Sequence, residues 1–178
     1  MNRTTRSSSL CAAVCALAFI MGSAAASAAT VQAKVDAVTG VVEFAKPGSA
    51  AYSPLKVGQM LDVGSTIRTG SDGSAVITTT PGSAIQLGHS SNLKLNALAF
   101  AKSGDTVTQR EAHIQLNTGV VSALIDPSTP KVTDFQVQTP EGAAAARGTF
   151  YAVVVSNGKT YVSVNQGKVG AKAGVPNP

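Results

Sequence analysis

A closely spaced series of glycines is the feature that most constrains the fold of this chain. From Leu55 onward, short runs rich in apolar and β-branched residues are separated by glycines at intervals of mostly six to nine residues. These glycines are Gly58, Gly64, Gly70, Gly73, Gly82 and Gly88. Because glycine adopts the positive φ values of tight turns without strain, this spacing is typical of short strands joined by abrupt corners. The pattern predicts an all-β protein.

Strand signals also lie on both sides of the glycine-rich region. Val31–Ala37 alternates apolar and polar residues, which is the period of a half-buried strand. Residues 45–54, rich in proline and small residues, are predicted to form a long hairpin loop. Thr149–Val155 is the most apolar segment and is predicted to be a central strand. Asn157-Gly158, which follows it, predicts a tight hairpin turn.

The length of 178 residues suits one domain. We expect this domain to extend over residues 31–170 as a β-sandwich or a β-roll-like arrangement, followed by a flexible tail at 171–178. A nine-residue step separates Gly73-Ser74-Ala75 from Gly82-Ser83-Ala84, and this weak repeat is interpreted as local packing geometry of roll-like rungs. Glu141–Arg147, which contains four consecutive alanines, is the only segment predicted to form a helical turn.

The first 28 residues have the organisation of a secretory signal peptide. Arg3 and Arg6 precede the apolar run Leu10–Met21, and small residues follow up to the predicted cleavage site after Ala28. A helix of this apolar run spans about 18 Å, short of the roughly 30 Å of a bilayer core, so an uncleaved anchor is the less favoured alternative. Cleavage would remove both cysteines and two arginines, which lowers the net charge from +5 to +3. The sequence therefore predicts a periplasmic or secreted protein without thiol or disulfide chemistry.

No constellation typical of a catalytic, cofactor or metal site is visible in the sequence. His89 and His113 are 24 residues apart, and only Glu111 lies close to either of them, so metal binding is not expected. The nine acidic residues are scattered, no serine lies in a Gly-x-Ser-x-Gly elbow, and Gly158-Lys159-Thr160 lacks the first glycine of a phosphate loop. The basic residues form no stripe interleaved with aromatic ones, which argues against nucleic acid as a partner. We therefore expect a protein that is not an enzyme and has no cofactor.

Three groups of residues carry a family resemblance. The first is a run of Leu, Gly, Ile and Thr positions from Leu55 to Gly70, and the second is the strand pair around Pro81-Gly82-Ser83. The third joins Phe135-Gln136-Val137-Gln138-Thr139-Pro140 to Arg147-Gly148-Thr149-Phe150. With these motifs the chain resembles the FecR domain family of exported bacterial modules over about Val38 to Val169. The motif residues expected to have mainly structural roles are Gly58, Gly64, Thr69, Gly70, Gly82, Thr139, Pro140, Arg147, Gly148 and Thr149.

Arg147 is the motif residue with the most open interpretation. Its small neighbours and the apolar strand that follows predict a partly buried guanidinium, which needs an acceptor for its hydrogen bonds. The acids expected within reach are Glu141, Asp134 and, if the Gly58–Gly64 corner packs alongside, Asp62. The alternative is that Arg147 binds an anion.

The resemblance also bears on function. Sensors of this family resemble three-part proteins with a cytoplasmic segment that grips a sigma factor, a membrane helix and an exported domain. Because only nine residues precede the apolar run, we expect the exported module alone and do not carry over the regulation of a sigma factor. The leading hypothesis is a non-catalytic exported module that binds protein or a cell-envelope polymer. The alternatives are a separated sensor component that relays an envelope signal to a membrane partner, and an envelope structural accessory protein.

Overall fold

The computed structural model describes residues 31–174. The predicted signal peptide lies outside the described residues and stays a prediction. The described part contains fourteen strands and no helix, which confirms the predicted all-β class. The strands are β1 (Ala33–Thr39), β2 (Val42–Ala45), β3 (Tyr52–Pro54), β4 (Met60–Leu61), β5 (Thr66–Thr69), β6 (Ser74–Thr80), β7 (Ser83–Leu87), β8 (Asn92–Ser103), β9 (Thr106–Ile125), β10 (Thr133–Thr139), β11 (Gly142–Ala146), β12 (Phe150–Ser156), β13 (Lys159–Gln166) and β14 (Val169–Ala173).

The strands form one curled sheet that folds over itself into two layers. The first layer has the order β4-β1-β6-β7-β9-β12-β13, and the second has the order β3-β2-β5-β8-β9-β10-β11-β14. The long strand β9 belongs to both layers, because its first part pairs with β8 and β10 and its last part pairs with β7 and β12. Neighbouring strands are antiparallel except β9 and β10, which are parallel.

Gly119 is the point at which β9 passes from one layer to the other. Its φ is +93°, and a Cβ atom at this position would overlap the Cα and side chain of Ser91. The Ser91 hydroxyl accepts a hydrogen bond from the Val120 amide at 2.9 Å and donates one to the His89 carbonyl at 3.0 Å. A residue with a side chain would push Ser91 out of this corner, so the bend between the layers requires glycine.

The core lies between the two layers and is built from the alternate, inward-facing residues of their strands. Its largest members are Phe135 and Tyr151, whose rings meet edge to face with their centroids 6.4 Å apart. The core also contains many aliphatic side chains from both layers, among them Leu61, Ile67, Ile77, Ile85, Leu87, Leu93, Leu95, Ile114, Leu116 and Ile125. This interdigitation across the layers identifies the arrangement as a curled β-sandwich.

Several local predictions are confirmed. The hairpin loop predicted at residues 45–54 is present between β2 and β3 but is shorter, because Tyr52–Pro54 pairs with β2. Thr149–Val155 corresponds to β12, which lies between β9 and β13. Asn157 and Gly158 have φ values of 52° and 73° and join β12 to β13 in a tight hairpin. The nine-residue repeat is an exception: it leads into β6 and β7, which pair as an antiparallel hairpin and not as successive rungs of a roll, so the roll-like interpretation is wrong.

Two local predictions are wrong. The alanine-rich segment Glu141–Arg147 does not form a helical turn, because Gly142–Ala146 is strand β11, paired on one side with β10 and on the other with β14. The flexible tail was expected to begin at residue 171, but Ala171–Ala173 belongs to β14 and pairs with Gly142–Ala144. Both segments are strands because their alanines complete the second layer, a tertiary requirement that overrides local preference. Within residues 31–174 there is no helix long and apolar enough to cross a membrane.

Candidate functional site

The glycines and threonines singled out in the sequence lie at corners between strands. The Thr69 hydroxyl donates to the Gly88 carbonyl at 2.7 Å and accepts from the Ser91 amide at 2.9 Å, which ties β5 to the start of β8. Gly70 donates its amide to the Val41 carbonyl. The amides of Gly58 and Gly64 make equivalent backbone bonds, to the carbonyls of Val35 and Leu95.

Thr139 and Thr149 hold the C-terminal strands together. The Thr139 hydroxyl donates to the Gly142 carbonyl at 3.2 Å across the turn that contains exposed Pro140, and it accepts from the Thr160 hydroxyl at 2.9 Å. The buried Thr149 hydroxyl donates to the Lys168 carbonyl at 3.1 Å. These bonds join separate corners, so the motif residues do not converge on a single pocket.

Arg147 is exposed, and the prediction that its guanidinium is partly buried is therefore wrong. Of the three acids expected as its partners, Glu141 accepts from the Thr160 amide and Asp62 accepts from the Gln32 side chain. Only Asp134 shares a cleft with Arg147, together with Lys168. The backbone turns at Gly148 immediately after Arg147, which directs the arginine side chain away from the core.

Asp134 belongs to a polar cluster on the outer side of the second layer. Its carboxylate lies 3.1 Å from His113 Nε2, and the other ring nitrogen of His113 lies 3.6 Å from Glu111. Burial raises the pKa of Asp134, but hydrogen bonds from Gln136 and His113 and the charge of Arg147 outweigh it, so the pKa lies below its usual value. No group of three or more potential ligands in residues 31–174 is arranged to hold a metal ion.

The buried arginine of the sandwich is Arg110 on β9, which the sequence analysis did not identify. Its side chain is 4% exposed, lies 3.5 Å from the Asp126 carboxylate and donates to the Asp126 carbonyl at 3.3 Å. Gly82 covers it so closely that a Cβ there would lie 2.5 Å from the Arg110 Nη2 atom. Because Gly82 and Asp126 come from distant loops, no local pattern around Arg110 signals its burial.

The outer face of the first layer is free of charge over four adjacent strands. Ser74–Thr80, Ser83–Leu87, Gly119–Ile125 and Phe150–Ser156 contain no Asp, Glu, Lys or Arg. We call the outward side of these strands, together with Tyr161 on neighbouring β13, the uncharged face; Lys159, at the start of β13, lies at its border. Its most prominent exposed side chains are Leu124 and Tyr161, at 60% and 58%, and Phe150. By contrast, the outer side of the second layer has ion pairs such as Arg68–Glu43 at 2.7 Å.

The two layers do not close at the end formed by β13 and β14. Val162 and Val164 on β13 pair with Val153 and Tyr151 on β12 and therefore face the same way, toward the interior. Val153 and Tyr151 are 0% and 1% exposed, whereas Val162 and Val164 remain 36% and 44% exposed. Larger side chains do not cover them, because the opposite strand, β14, presents alanines at the inner positions Ala171 and Ala173. Its third inner residue, Val169, packs against the core.

A cleft of about 650 Å³ occupies this open end, and we call it the C-terminal cleft. Its walls are the β10–β11 turn, β11 and β14 on one side and Thr160 and Val162 on the other. Alanines at 143, 144, 171 and 173 make most of the lining apolar. The cleft is bounded at the turn by the Thr160–Thr139 bond and by the carboxylate of Glu141, which accepts from the Thr160 amide.

The described residues thus form an all-β module with an uncharged face and an open apolar cleft. The sequence profile described as FecR protein matches residues 65–170, which is more than half of the chain. The chain belongs to the FecR family, a non-enzymatic signalling family whose domains are typically periplasmic. No curated protein and no solved structure matches the chain.

Proposed function

We propose that this chain is a non-catalytic exported module that binds another protein through the uncharged face. The carrying observation is the exposure of Leu124, Tyr161 and Phe150 on adjoining strands without a charged residue among β6, β7, the last part of β9, and β12. Exposed apolar patches of this kind mark interaction sites, and the centres of protein interfaces are enriched in aromatic residues and depleted in charge.

A protein partner suits the face better than a cell-envelope polymer does. Envelope polymers expose many hydroxyl and charged groups, which need matching polar side chains when they lose water. The centre of the uncharged face offers few such groups, since Phe150 pairs with Leu124 and Val154 pairs with Val120 on its outward side. A partner with a mainly apolar surface would need polar groups opposite only a few side chains of the face, such as Gln86 and Ser122.

Family membership favours a signalling role for this binding. FecR domains belong to signalling-related periplasmic sensor modules. We therefore propose as a second, compatible function that the module is a separated sensor component, which relays an envelope signal when its partner binds.

Site-directed photo-crosslinking in intact cells tests the binding function. A photoreactive amino acid is placed at Leu124 in the uncharged face, and at Lys94 on the outer side of the second layer as the matched control. We expect crosslinking of a defined protein, identified by mass spectrometry, from position 124 and not from position 94. Adducts with polymer alone, or equal crosslinking from both positions, would overturn the proposal.

A second variant separates binding from folding. Leu124→Lys places a charge in the centre of the uncharged face, where the wild-type side chain is already exposed, so the melting temperature should change little. We expect this substitution to abolish the crosslink recorded from a photoreactive residue at position 161. Retention of that crosslink would show that the partner binds elsewhere.

A further inference from the structure

We propose that the C-terminal cleft binds an acidic, extended segment of a partner protein, which adds a strand to β13 and closes the open end of the sandwich. This inference deepens the proposed function, on which it rests, by assigning the chemistry of the partner and a second contact region beside the uncharged face.

The free edges of two long strands provide the first argument. Among the described residues, β13 pairs only with β12, and β14 pairs only with β11. At the start of β13 the Thr160 amide donates to Glu141. Beyond it, residues 161–166 of this strand leave one edge with backbone donors and acceptors over roughly 20 Å, enough for a short partner strand. Main-chain hydrogen bonds to such an edge supply affinity for an extended segment without demanding a particular sequence.

The shape of the cleft provides the second argument. In a strand added to β13, alternate side chains would point inward and meet Val162, Val164 and the alanines of β11 and β14. Small or medium aliphatic side chains fit this space, because the opposing inner residues are alanines such as Ala144 and Ala171. Burial of Val162 and Val164 under the added strand would stabilise the complex through the hydrophobic effect.

Charge provides the third argument and defines the partner. Residues 142–174 contain four cations and no acid, whereas all nine acids of the chain precede them. The four cations, all exposed, lie on β13, on β14 or beside their ends: Arg147, Lys159, Lys168 and Lys172. The acids nearest to them, Glu141 and Asp134, are already engaged by the Thr160 amide and by His113 and Gln136. This distribution favours acidic residues on the docked segment.

The same charges argue against a second copy of this chain as the occupant. A dimer formed through β13 would bring two sets of these four cations toward one another, with no acid from residues 142–174 to balance them. Like charges across an interface oppose association. A partner that carries Asp or Glu beside aliphatic residues meets no such opposition.

Binding of synthetic peptides to the full exported chain tests this inference. The probe is a nine-residue peptide in which Val alternates with Asp and Thr. Its two controls are the same peptide with Lys in place of Asp, and one with Pro at two Val positions. Fluorescence anisotropy measures affinity, and amide chemical shifts of the labelled protein locate the site. We expect the acidic peptide to shift β13 and β14 resonances, and both controls to bind at least about tenfold more weakly.

Three variants of the chain sharpen the test. Val162→Lys, which places a charge in the cleft at a position already partly exposed, should abolish binding of the acidic peptide while the chain stays folded by melting temperature. Lys168→Glu together with Lys172→Glu should weaken binding by about tenfold, and Lys94→Glu, remote from the cleft, should not. Loss of affinity in Lys94→Glu comparable to that in the double variant, with binding retained in Val162→Lys, would indicate unspecific charge attraction and would overturn the inference.

Three further results distinguish binding in the C-terminal cleft from binding at the uncharged face. Failure of the acidic peptide to bind, or shifts confined to other strands, overturns the cleft assignment even if Leu124 crosslinks to a protein, in which case the proposed function stands alone. A concentration-dependent dimer that Val162→Lys abolishes would assign the cleft to a second copy and likewise overturn the inference. Peptide binding at β13 without any protein crosslink at Leu124 would support the cleft as a binding site and would overturn the proposed binding function of the uncharged face.

Discussion

The two ends of the sandwich differ in the length of their edge strands and in how far the inward-facing side chains of those strands are buried. At one end the outermost strands, β3 and β4, have three and two residues, and Leu55, directly after β3, and Leu61, on β4, are both buried in the core. At the other end the outermost strands, β13 and β14, have eight and five residues, and their inward-facing side chains stay partly exposed. Short edge strands protect a sheet against pairing with other chains, whereas long ones invite it.

This difference indicates that the closed end contributes to stability and that the open end leaves a surface accessible to other molecules. At the closed end the loop from β3 to β4 is additionally bonded to both layers, because the Leu55 amide donates to the Val42 carbonyl on β2 and the Gly58 amide donates to the Val35 carbonyl on β1. At the open end, the bonds from Thr160 to Thr139 and Glu141 hold only one border of the cleft. We therefore interpret the closed end and the core as the rigid part and the open end as the part adapted for contact.

The largest effect is expected for Gly148→Val, which tests the rigid part just before β12. Gly148 has a φ of +83°, and a Cβ atom there would lie 2.5 Å from the Cα of Pro127, so valine adds backbone strain to a clash with main-chain atoms. The variant should lose about 3 kcal/mol or more of unfolding free energy, measured by urea denaturation.

Gly88→Val is the matched control for this substitution. The φ of Gly88 is not positive, and a Cβ would lie 3.2 Å from the Cβ of Val120, which a shift of a few tenths of an ångström relieves. A loss of about 1 kcal/mol is expected. Equal losses at the two positions would contradict the account of the Gly148 turn.

Truncation of one apolar side chain at each end tests the comparison directly. Leu61→Ala at the closed end removes a fully buried side chain and should cost about 3 kcal/mol, because it leaves a cavity. Val162→Ala at the open end should cost less than about 1 kcal/mol, because the valine is already partly in water. Chemical denaturation of both variants measures the difference, and a loss at Val162 as large as that at Leu61 would show that the open end is packed like the core.

Arg110 and Arg147 differ in burial, so their substitution should affect stability differently. Arg110→Ala removes a buried guanidinium together with its contacts to Asp126 and Gly82 and should lower stability by about 2 kcal/mol. Arg147→Ala removes an exposed side chain and should change stability by less than about 0.5 kcal/mol. Thermal melts of the two variants at neutral pH measure both effects. A clear loss of stability in Arg147→Ala would restore the structural role expected from the sequence.

Substitution of Tyr151 is expected to change the free energy of unfolding little, and to raise it where the other substitutions lower it. Its hydroxyl is buried without a hydrogen-bond partner among the described residues, so Tyr151→Phe should stabilise the chain by about 1 kcal/mol. Burial also raises the pKa of Tyr151 above its usual value of 10.0, which keeps the folded state protonated. Because the unfolded chain loses this proton above pH 10, wild-type stability should fall as the pH rises from 10, and Tyr151→Phe should reduce that fall. Denaturant midpoints between pH 8 and pH 11 check both statements.

The sequence was informative where local chemistry determines the structure. Asn157-Gly158 forms the predicted hairpin because both residues tolerate positive φ, and alternation over Val31–Ala37 corresponds to β1 with its buried Ala33 and Val35. The order of the glycine corners also indicated the family, whose profile matches the chain. In each of these cases a few consecutive residues carry the whole signal.

The sequence was less informative where distant segments determine the structure. The alanines of Gly142–Ala146 favour a helix locally but form a strand, because β10 and β14 bond to both of its edges. Arg147 and Arg110 could not be told apart by their neighbours in sequence, since Gly82 and Asp126 reach Arg110 from other loops. The open end could not be predicted from the sequence either, because it depends on how β13 of one layer lies opposite β14 of the other.

Residue-resolved amide hydrogen exchange of the isolated chain, with and without the acidic peptide, tests the central claim most directly. The account predicts that the amides of β13 exchange much faster than those of β12 in the free protein, because one edge of β13 is unpaired and its inward side chains are partly exposed. It also predicts that the peptide slows exchange at β13 and β14 while β3 and β4 remain unchanged. Protection of β13 equal to that of β12 in the free protein, or slowing spread evenly over both ends, would contradict the account.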